Sequence, residues 1–126
     1  MPRKHVSTPD APKPIGPYSQ GVIAGGFLFV SGQIPLDPLT DELVQGDIEV
    51  QTERVMENLM AILKAAKLDA SGVVKTTIYL ADLSDFPRVN GVYGRYFEKD
   101  PPARATVEVS RLPKGVGVEI DLTAVF

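Results

Sequence analysis

Apolar and polar residues alternate along the last nine positions of the chain. Glu119, Asp121 and Thr123 separate apolar residues at every second position, namely Val118, Ile120, Leu122, Ala124 and Phe126. A period of two is typical of a strand with one buried face. Four further strands are predicted from apolar and β-branched runs at 18–24, 27–33, 73–80 and 103–109. The first two flank Gly25-Gly26, which predicts a two-residue hairpin turn.

Two helices are predicted from apolar residues at helical spacing. The longer one covers about 48–67, with Asp47 as N-cap and one apolar stripe of Ile48, Thr52, Val55, Leu59, Ile62 and Ala66. The second covers about 85–99, capped by Ser84 and ended by Pro101-Pro102. Five prolines in 1–17 predict an extended segment, and 35–46 is predicted as a loop.

The order β-β-α-β-α-β-β predicts an α+β fold in which two helices cover one face of a mixed sheet. Apolar or aromatic side chains nevertheless fall on the opposite face, at Phe27, Phe29, Val73, Tyr79 and Val125. A sheet with apolar residues on its second face usually buries that face against another subunit. We therefore expect a homo-oligomer.

Composition narrows the functional classes. With 126 residues we expect one domain over 1–126, with 1–14 as an extended N-terminal arm. The sequence contains no cysteine, which excludes disulfides and thiolate chemistry and is compatible with a reducing cytoplasm. No apolar run is long enough to cross a membrane, and the N-terminus lacks the apolar stretch of a signal peptide. The net charge of −3 does not favour nucleic acid as a partner.

Arg104 is the first candidate site residue. It lies in Ala-Arg-Ala-Thr-Val, among small and apolar neighbours, on a predicted strand. An arginine presents a planar fork that matches a carboxylate, so this position favours an anion-binding role. The alternative is a structural ion pair with Glu108 or Asp121.

Glu119 is the second candidate. It lies between Val118 and Ile120, and Asp121 shares its strand face. Two carboxyl groups on one face can raise the pKa of one of them into a range useful for proton transfer. Plain solvent exposure is the alternative interpretation.

The two candidates do not meet in a simple hairpin. If strands 104–109 and 118–126 paired around Lys114, Arg104 would lie opposite Ala124, and Glu119 would be roughly 16 Å farther along the strand. Either the strands are not neighbours or a site containing both residues is completed across a subunit boundary. His5, the single histidine, lies in the arm and is interpreted as a disordered, solvated residue.

Several ordered motifs together resemble the RidA family, the YjgF-type imine deaminases. The resemblance extends from about Lys13 to Phe126. Its specific parts are Ile15-Gly16-Pro17-Tyr18-Ser19-Gln20, Ser31-Gly32-Gln33-Ile34-Pro35, Asn90 with Tyr93 and Phe97, Pro102-Ala103-Arg104-Ala105, Leu112-Pro113-Lys114, and Val118-Glu119-Ile120.

This resemblance implies a chorismate-mutase-like fold and a homotrimer with an active site in each cleft between subunits. It implies hydrolysis of 2-iminopropanoate and 2-iminobutanoate to 2-oxo acids and ammonia, with no metal or organic cofactor. By position, Arg104 would hold the substrate carboxylate and Glu119 would activate water and manage the proton. The remaining substrate-binding residues would be Tyr18, Ser31, Gly32, Asn90 and Thr106, the last at a position where many relatives have cysteine.

Three other functions stay open at this stage. The same cleft could bind a small 2-oxo acid without consuming it. Some members of the resembled family carry names such as translation inhibitor or ribonuclease, although the acidic balance of this chain argues against an RNA-directed role. A chaperone-like role for the apolar surface is the third.

Overall fold

One six-stranded sheet and two helices make up most of the computed structural model, which describes residues 2–126. Within these residues the ten regular elements are β1 (Lys4–Val6), β2 (Gly21–Ala24), β3 (Phe27–Gln33), β4 (Leu36–Asp37), β5 (Glu42–Leu43), α1 (Ile48–Ala65), β6 (Val73–Leu80), α2 (Phe86–Gly94), β7 (Ala103–Glu108) and β8 (Val118–Val125). Gly25 and Gly26 both have positive φ, as the predicted β2–β3 turn requires.

The sheet is mixed, as predicted. Its strand order is β1-β2-β3-β8-β6-β7; β6 and β7 are parallel and every other adjacent pair is antiparallel. The chain leaves β6, passes through α2 and returns beside β6, because a parallel pair needs a crossover connection. β7 is therefore an edge strand, separated from β8 by β6. Of the two options left open for the last two strands, the first is correct: they are not neighbours.

The helix α1 begins where its sequence predicts. The Asp47 side chain accepts a hydrogen bond from the backbone N–H of Val50 at 3.0 Å. The predicted stripe is buried along the whole helix. Asn58 is buried as well, and its amide donates to the carbonyls of Ile34 and Leu36, which ties the β3–β4 connection to α1. Neither helix in the described part of the chain is long and apolar enough to cross a membrane.

The core lies between the helices and one face of the sheet. Alternate strand residues supply its sheet side, namely Leu28, Val30, Ile78, Leu80, Val118, Ile120, Leu122 and Ala124. The opposite face, here called the open face, carries half-exposed apolar residues, namely Phe27, Phe29, Val74, Val107 and Val125. The prediction that both helices cover one face is confirmed. The alternation of β8 holds as far as Ala124, whereas Phe126 lies beyond the strand and is exposed.

One strand residue was assigned to the wrong face. Val73 was expected on the open face but is buried, and Val74 is exposed instead. The pairing of β6 with β8 shifts between Val73 and Lys75, which face Ala124 and Thr123 respectively. This bulge adds one residue to β6, so the alternation on its two sides is out of phase.

Four local predictions also needed correction. The second helix covers 86–94 rather than 85–99, because after Gly94 the backbone continues in i→i+3 turns. Ser84 does not cap it; the Asp82 side chain instead accepts from Ser84 N in the turn before the helix. The first hairpin strand begins at Gly21 rather than at residue 18, and β4 and β5 form a small hairpin inside the predicted loop 35–46.

The N-terminal arm is extended and also joins the sheet. Lys4–Val6 pairs with β2 as the edge strand β1. His5 therefore lies in a strand, and its Nδ1 is 2.8 Å from the Ser19 hydroxyl oxygen. The expectation that His5 lies in a disordered arm was wrong, whereas the expectation of a solvent-exposed side chain is confirmed.

Candidate active site

Arg104 lies on the helix-covered side of the sheet, under α2. Its strand partner is Thr76, a buried residue whose hydroxyl contacts the Tyr93 hydroxyl at 2.7 Å. The Arg104 Nη1 donates to Asn90 Oδ1 at 2.7 Å, and the guanidinium carbon lies 5.1 Å and 5.0 Å from the ring centres of Phe86 and Tyr93. One amide and two aromatic faces thus hold the guanidinium in place.

The Arg104 guanidinium has no carboxylate partner within residues 2–126. The hypothesis of a structural ion pair with Glu108 or Asp121 is wrong. Glu108 instead accepts from the backbone N–H of Leu83 at 2.8 Å, and Asp121 accepts from the Tyr79 hydroxyl at 3.0 Å. With a single hydrogen bond made, most N–H groups of Arg104 are available to an anion.

Thr106 lies two residues along β7 from Arg104 and faces the same side. It pairs with the buried Ile78, and its hydroxyl oxygen is buried with no hydrogen-bond partner in the described chain. A buried hydroxyl without a partner is unusual in a folded protein and calls for an explanation, of which a bound ligand is one. Asn90, Arg104 and Thr106, three of the residues assigned from the sequence, are therefore grouped here.

Glu119 lies on the open face, beside a cavity of about 380 Å³. The Glu119 carboxyl group shares this cavity with Tyr18, Ser31 and Gly32, and apolar residues form most of the remaining wall, namely Pro12, Ile15, Ile34, Leu36 and Pro113. The Ser31 hydroxyl donates to the carbonyl of Ser19. Tyr18, Ser31, Gly32 and Glu119, the other residues assigned from the sequence, form this second group.

A bulge in β3 brings Gly32 against Glu119. Between Val30 and Gln33 strand β3 advances three residues while its partner β8 advances two, from Leu122 to Ile120. Bulges of this kind redirect side chains and are frequent beside active sites. A Cβ at Gly32 would overlap the Glu119 carboxyl group, whose Cδ lies 2.9 Å from that position.

The Glu119 carboxyl group is half-buried, so plain solvent exposure does not describe it. Burial raises its pKa above the ordinary value, and the nearby negative charge of Asp121 raises it further. Such a group gains a proton closer to neutral pH than an exposed glutamate does, which suits it to proton transfer.

Arg104 and Glu119 lie on opposite faces of the sheet. Arg104 pairs with Thr76 on one side of β6, and Glu119 pairs with Tyr79 on the other. Thr76 and Tyr79 are three residues apart in a regular part of the strand, so their side chains point to opposite faces. The structure therefore gathers the assigned residues into two groups, and one chain does not bring the two groups together.

Two features of the site were not predicted from the sequence. Phe86 was interpreted only as a core residue of α2, although it stacks on Arg104. Its spacing from Asn90 and Tyr93, at i, i+4 and i+7, places all three on one helix face and was the available signal. The hydrogen bond from Tyr79 to Asp121 depends on the β6–β8 register, which the sequence does not reveal.

Among residues 2–126 no group of three His, Asp or Glu side chains is placed to hold a metal ion.

Replacing Gly32 with alanine is expected to lower any activity that uses Glu119 by about 10- to 100-fold, because a displacement of about 1 Å can have that effect. The added methyl group moves the end of a flexible side chain rather than backbone, so the melting temperature should change little. Gly91→Ala is the matched control, since a Cβ there has no neighbour within 4 Å. If Gly32→Ala and Gly91→Ala are equally active, the close contact between Gly32 and Glu119 is not needed for activity.

Comparisons with known proteins agree on one family. A family model described as Endoribonuclease L-PSP matches residues 8–126. Protein DfrA of Myxococcus xanthus is 63% identical over 99% of this chain and 97% of its own. The human 2-iminobutanoate/2-iminopropanoate deaminase is 45% identical over 98% and 90% of the two chains.

A solved structure, Escherichia coli TdcF with bound serine, has a TM-score of 0.93 at 42% identity and covers 98% of each chain. Archaeal relatives of intermediate identity carry only the name RutC family protein. These matches span nearly the whole chain and include both residue groups described above. The chain therefore belongs to the YjgF/RutC/RidA family.

Proposed function

We propose that the protein is an imine deaminase that hydrolyses 2-iminopropanoate and 2-iminobutanoate to 2-oxo acids and ammonia. The observation that carries this proposal is a fixed arginine with no anionic partner among residues 2–126, together with a half-buried carboxyl group on the opposite face of the same sheet. The first suits a small carboxylate ligand and the second suits proton transfer. The name of the human relative supports the same reaction.

In this proposal the protein acts as a homotrimer with its sites between subunits. Arg104 and Glu119 of one chain face in opposite directions, so a site containing both needs Arg104 from one subunit and Glu119 from its neighbour. The half-exposed apolar residues of the open face, including Phe27, Phe29 and Val125, would be buried in such an assembly. The absence of cysteine is compatible with a location in the reducing cytoplasm.

Arg104 would bind the substrate carboxylate through two parallel N–H···O hydrogen bonds. Asn90 and the rings of Phe86 and Tyr93 already orient the guanidinium, so little conformational freedom is lost when the ligand binds. The Thr106 hydroxyl, which is buried and has no partner in the described part of the chain, would supply a further hydrogen bond on the same side. The imine carbon is then held at a fixed distance from the neighbouring subunit's Glu119.

Glu119 would manage the protons of the reaction. Its carboxylate takes a proton from water as the water oxygen adds to the carbon of the protonated imine. The resulting Glu119 carboxylic acid returns that proton to the amine nitrogen. The C–N bond then breaks with its electron pair on nitrogen, while the Glu119 carboxylate takes the hydroxyl proton and the C=O bond forms. Glu119 passes that proton to the departing ammonia, which leaves as ammonium, and the carboxylate is restored. Tyr18, Ser31 and the backbone at Gly32 line the cavity and would orient substrate and water.

Imine trapping tests the proposal directly. An amino-acid oxidase generates the imine from alanine or 2-aminobutanoate, and semicarbazide traps whatever imine survives. We expect the protein to suppress semicarbazone formation in proportion to its concentration. If trapping continues at the same rate for both precursors, the deaminase proposal fails.

A binding function without catalysis is the second candidate. It is favoured by the solved structure of TdcF, which contains bound serine, an amino acid that is not an imine. Calorimetric titration with 2-oxobutanoate and serine, combined with the trapping assay, separates the two candidates. Saturable binding without any suppression of trapping would favour the binding function. We propose no nucleic-acid partner, because the net charge is −3.

A further inference from the structure

Glu119 and Asp121 share the open face of β8, but their surroundings differ. They are two residues apart, so their backbone positions lie about 6.6 Å apart along the strand. Asp121 accepts a hydrogen bond from the Tyr79 hydroxyl at 3.0 Å. Within residues 2–126 no comparable donor reaches Glu119, which lies half-buried in the cavity beside Gly32.

Tyr79 lies next to both carboxyl-bearing residues on the neighbouring strand β6. It is the strand partner of Glu119 in the antiparallel β6–β8 ladder, so its ring lies beside that side chain. The ring extends diagonally across the ladder, and its hydroxyl reaches the carboxylate of Asp121. Tyr79 is therefore the strand partner of one carboxyl-bearing residue and the hydrogen-bond donor to the other.

Other titratable groups face this cluster from the neighbouring elements. Lys75 lies on the same face of β6, opposite Thr123, and forms no ion pair with Asp121 in the described chain. Lys13 and Tyr18 line the cavity that contains Glu119. In the proposed trimer, Arg104 of a neighbouring subunit would be added. None of these groups donates to Asp121 in the structure, so the Tyr79 hydroxyl is its specific partner.

We propose that Tyr79 is a positioning residue for the proposed reaction, because its hydroxyl holds the Asp121 carboxylate in place on the open face and so keeps that negative charge beside Glu119. Without this hydrogen bond the Asp121 side chain could turn to other rotamers, and its charge would lie farther from Glu119. The negative charge kept at Asp121 then disfavours a second charge at Glu119.

The titration behaviour of these groups agrees with the geometry. The pKa of Glu119 is raised by burial and then by Asp121. The pKa of Tyr79 is raised by burial and then by its hydrogen bond to Asp121, so Tyr79 stays protonated and remains a donor at neutral pH. Because Glu119 must be ionised to accept a proton from water, a lower Glu119 pKa would move the acidic limb of the kcat/KM profile to lower pH.

The test measures the Glu119 titration itself, by the ¹³C chemical shift of its carboxyl carbon as a function of pH. The resonance is assigned by its loss in Glu119→Gln. We expect Tyr79→Phe to lower the Glu119 midpoint by roughly half a pH unit. Asp121→Asn should lower it at least as much, and Tyr79→Phe should add nothing in the Asp121→Asn background, because Tyr79 acts through Asp121. The acidic limb of kcat/KM should follow the same order.

Tyr96→Phe is the matched control, since it removes another tyrosine–carboxylate hydrogen bond, to Glu53 at α1. It should leave the Glu119 midpoint unchanged. An unchanged midpoint in Tyr79→Phe, or an equal shift in both backgrounds, would overturn the positioning role. A uniform loss of kcat/KM without a midpoint shift would also overturn it.

This inference rests on the proposed function. The titration of Glu119 can be measured without turnover, so a failure of the Tyr79 proposal can be distinguished from a failure of the deaminase proposal. If Tyr79→Phe does not fold, Asp121→Asn still tests whether Asp121 acts on Glu119. An unchanged Glu119 midpoint in Asp121→Asn would then overturn the proposal.

Discussion

Replacing Arg104 with alanine is expected to lower kcat/KM for 2-iminobutanoate by at least about 100-fold while the protein stays folded. Two charge-assisted hydrogen bonds to a carboxylate contribute roughly 1.5–3 kcal/mol each, and each 1.4 kcal/mol corresponds to about a tenfold change in rate. Folding should survive, because the exposed guanidinium makes only one hydrogen bond, to Asn90, and no ion pair in residues 2–126. The trapping assay and the melting temperature measure the two effects.

Arg104→Lys separates charge from shape. Lysine keeps the positive charge but lacks the planar fork, so its activity should fall between those of the wild-type protein and Arg104→Ala. Arg95→Ala is the matched control, because it removes an exposed arginine that makes only a surface ion pair with Glu53. If Arg104→Ala unfolds the protein or dissociates the oligomer, Arg104 has a structural role instead.

Features that depend on residues close together in the sequence, such as a helix cap or the buried face of a strand, could be predicted from the sequence. Asp47 caps α1 as predicted, because a short acceptor side chain before an apolar stripe satisfies the free N–H groups of the first turn. The period-two pattern of β8 gave the correct face for Val118 through Ala124. In both cases the determining interactions are made within a few residues along the chain.

Long-range pairing limited the prediction of the fold. The bulge at Val74 reverses the phase of β6, so Val73 is buried although simple alternation places it on the open face. The position of β6 between β7 and β8 depends on pairing between strands that are far apart in the sequence. Neither the bulge nor the strand order can be predicted from the pattern of residues in a single segment.

The sequence predicted which residues belong to the candidate site, but it did not predict their positions relative to one another. Arg104 and Glu119 could be singled out, because each interrupts an apolar run with a charged side chain. Their opposite faces follow only from pairing to Thr76 and Tyr79 on a shared neighbouring strand. The role of Gly32 likewise needs the β3 bulge, which places its backbone against the Glu119 carboxyl group.

Mixing two inactive variants is expected to restore activity, if the sites lie between subunits. Arg104→Ala and Glu119→Gln subunits are co-expressed with different affinity tags, and trimers containing both are isolated by two successive purifications. In a ring of three, each subunit gives Arg104 to one site and Glu119 to the next. Both possible hybrids, with two copies of either variant, then contain one site with both residues intact. The hybrid trimer should show about one third of the wild-type kcat with an unchanged KM.

Each variant alone has no intact site in any arrangement, so both homotrimers serve as inactive controls. A mixture of separately purified homotrimers, assayed before subunits exchange, should be inactive as well. If the reaction instead used Arg104 and Glu119 of the same chain, no hybrid would contain an intact site and activity would stay at the level of the controls. An inactive hybrid of confirmed trimeric size would therefore contradict the shared site. Recovery to about one third would show that Arg104 and Glu119 of one chain, which lie on opposite faces of the sheet, serve different sites.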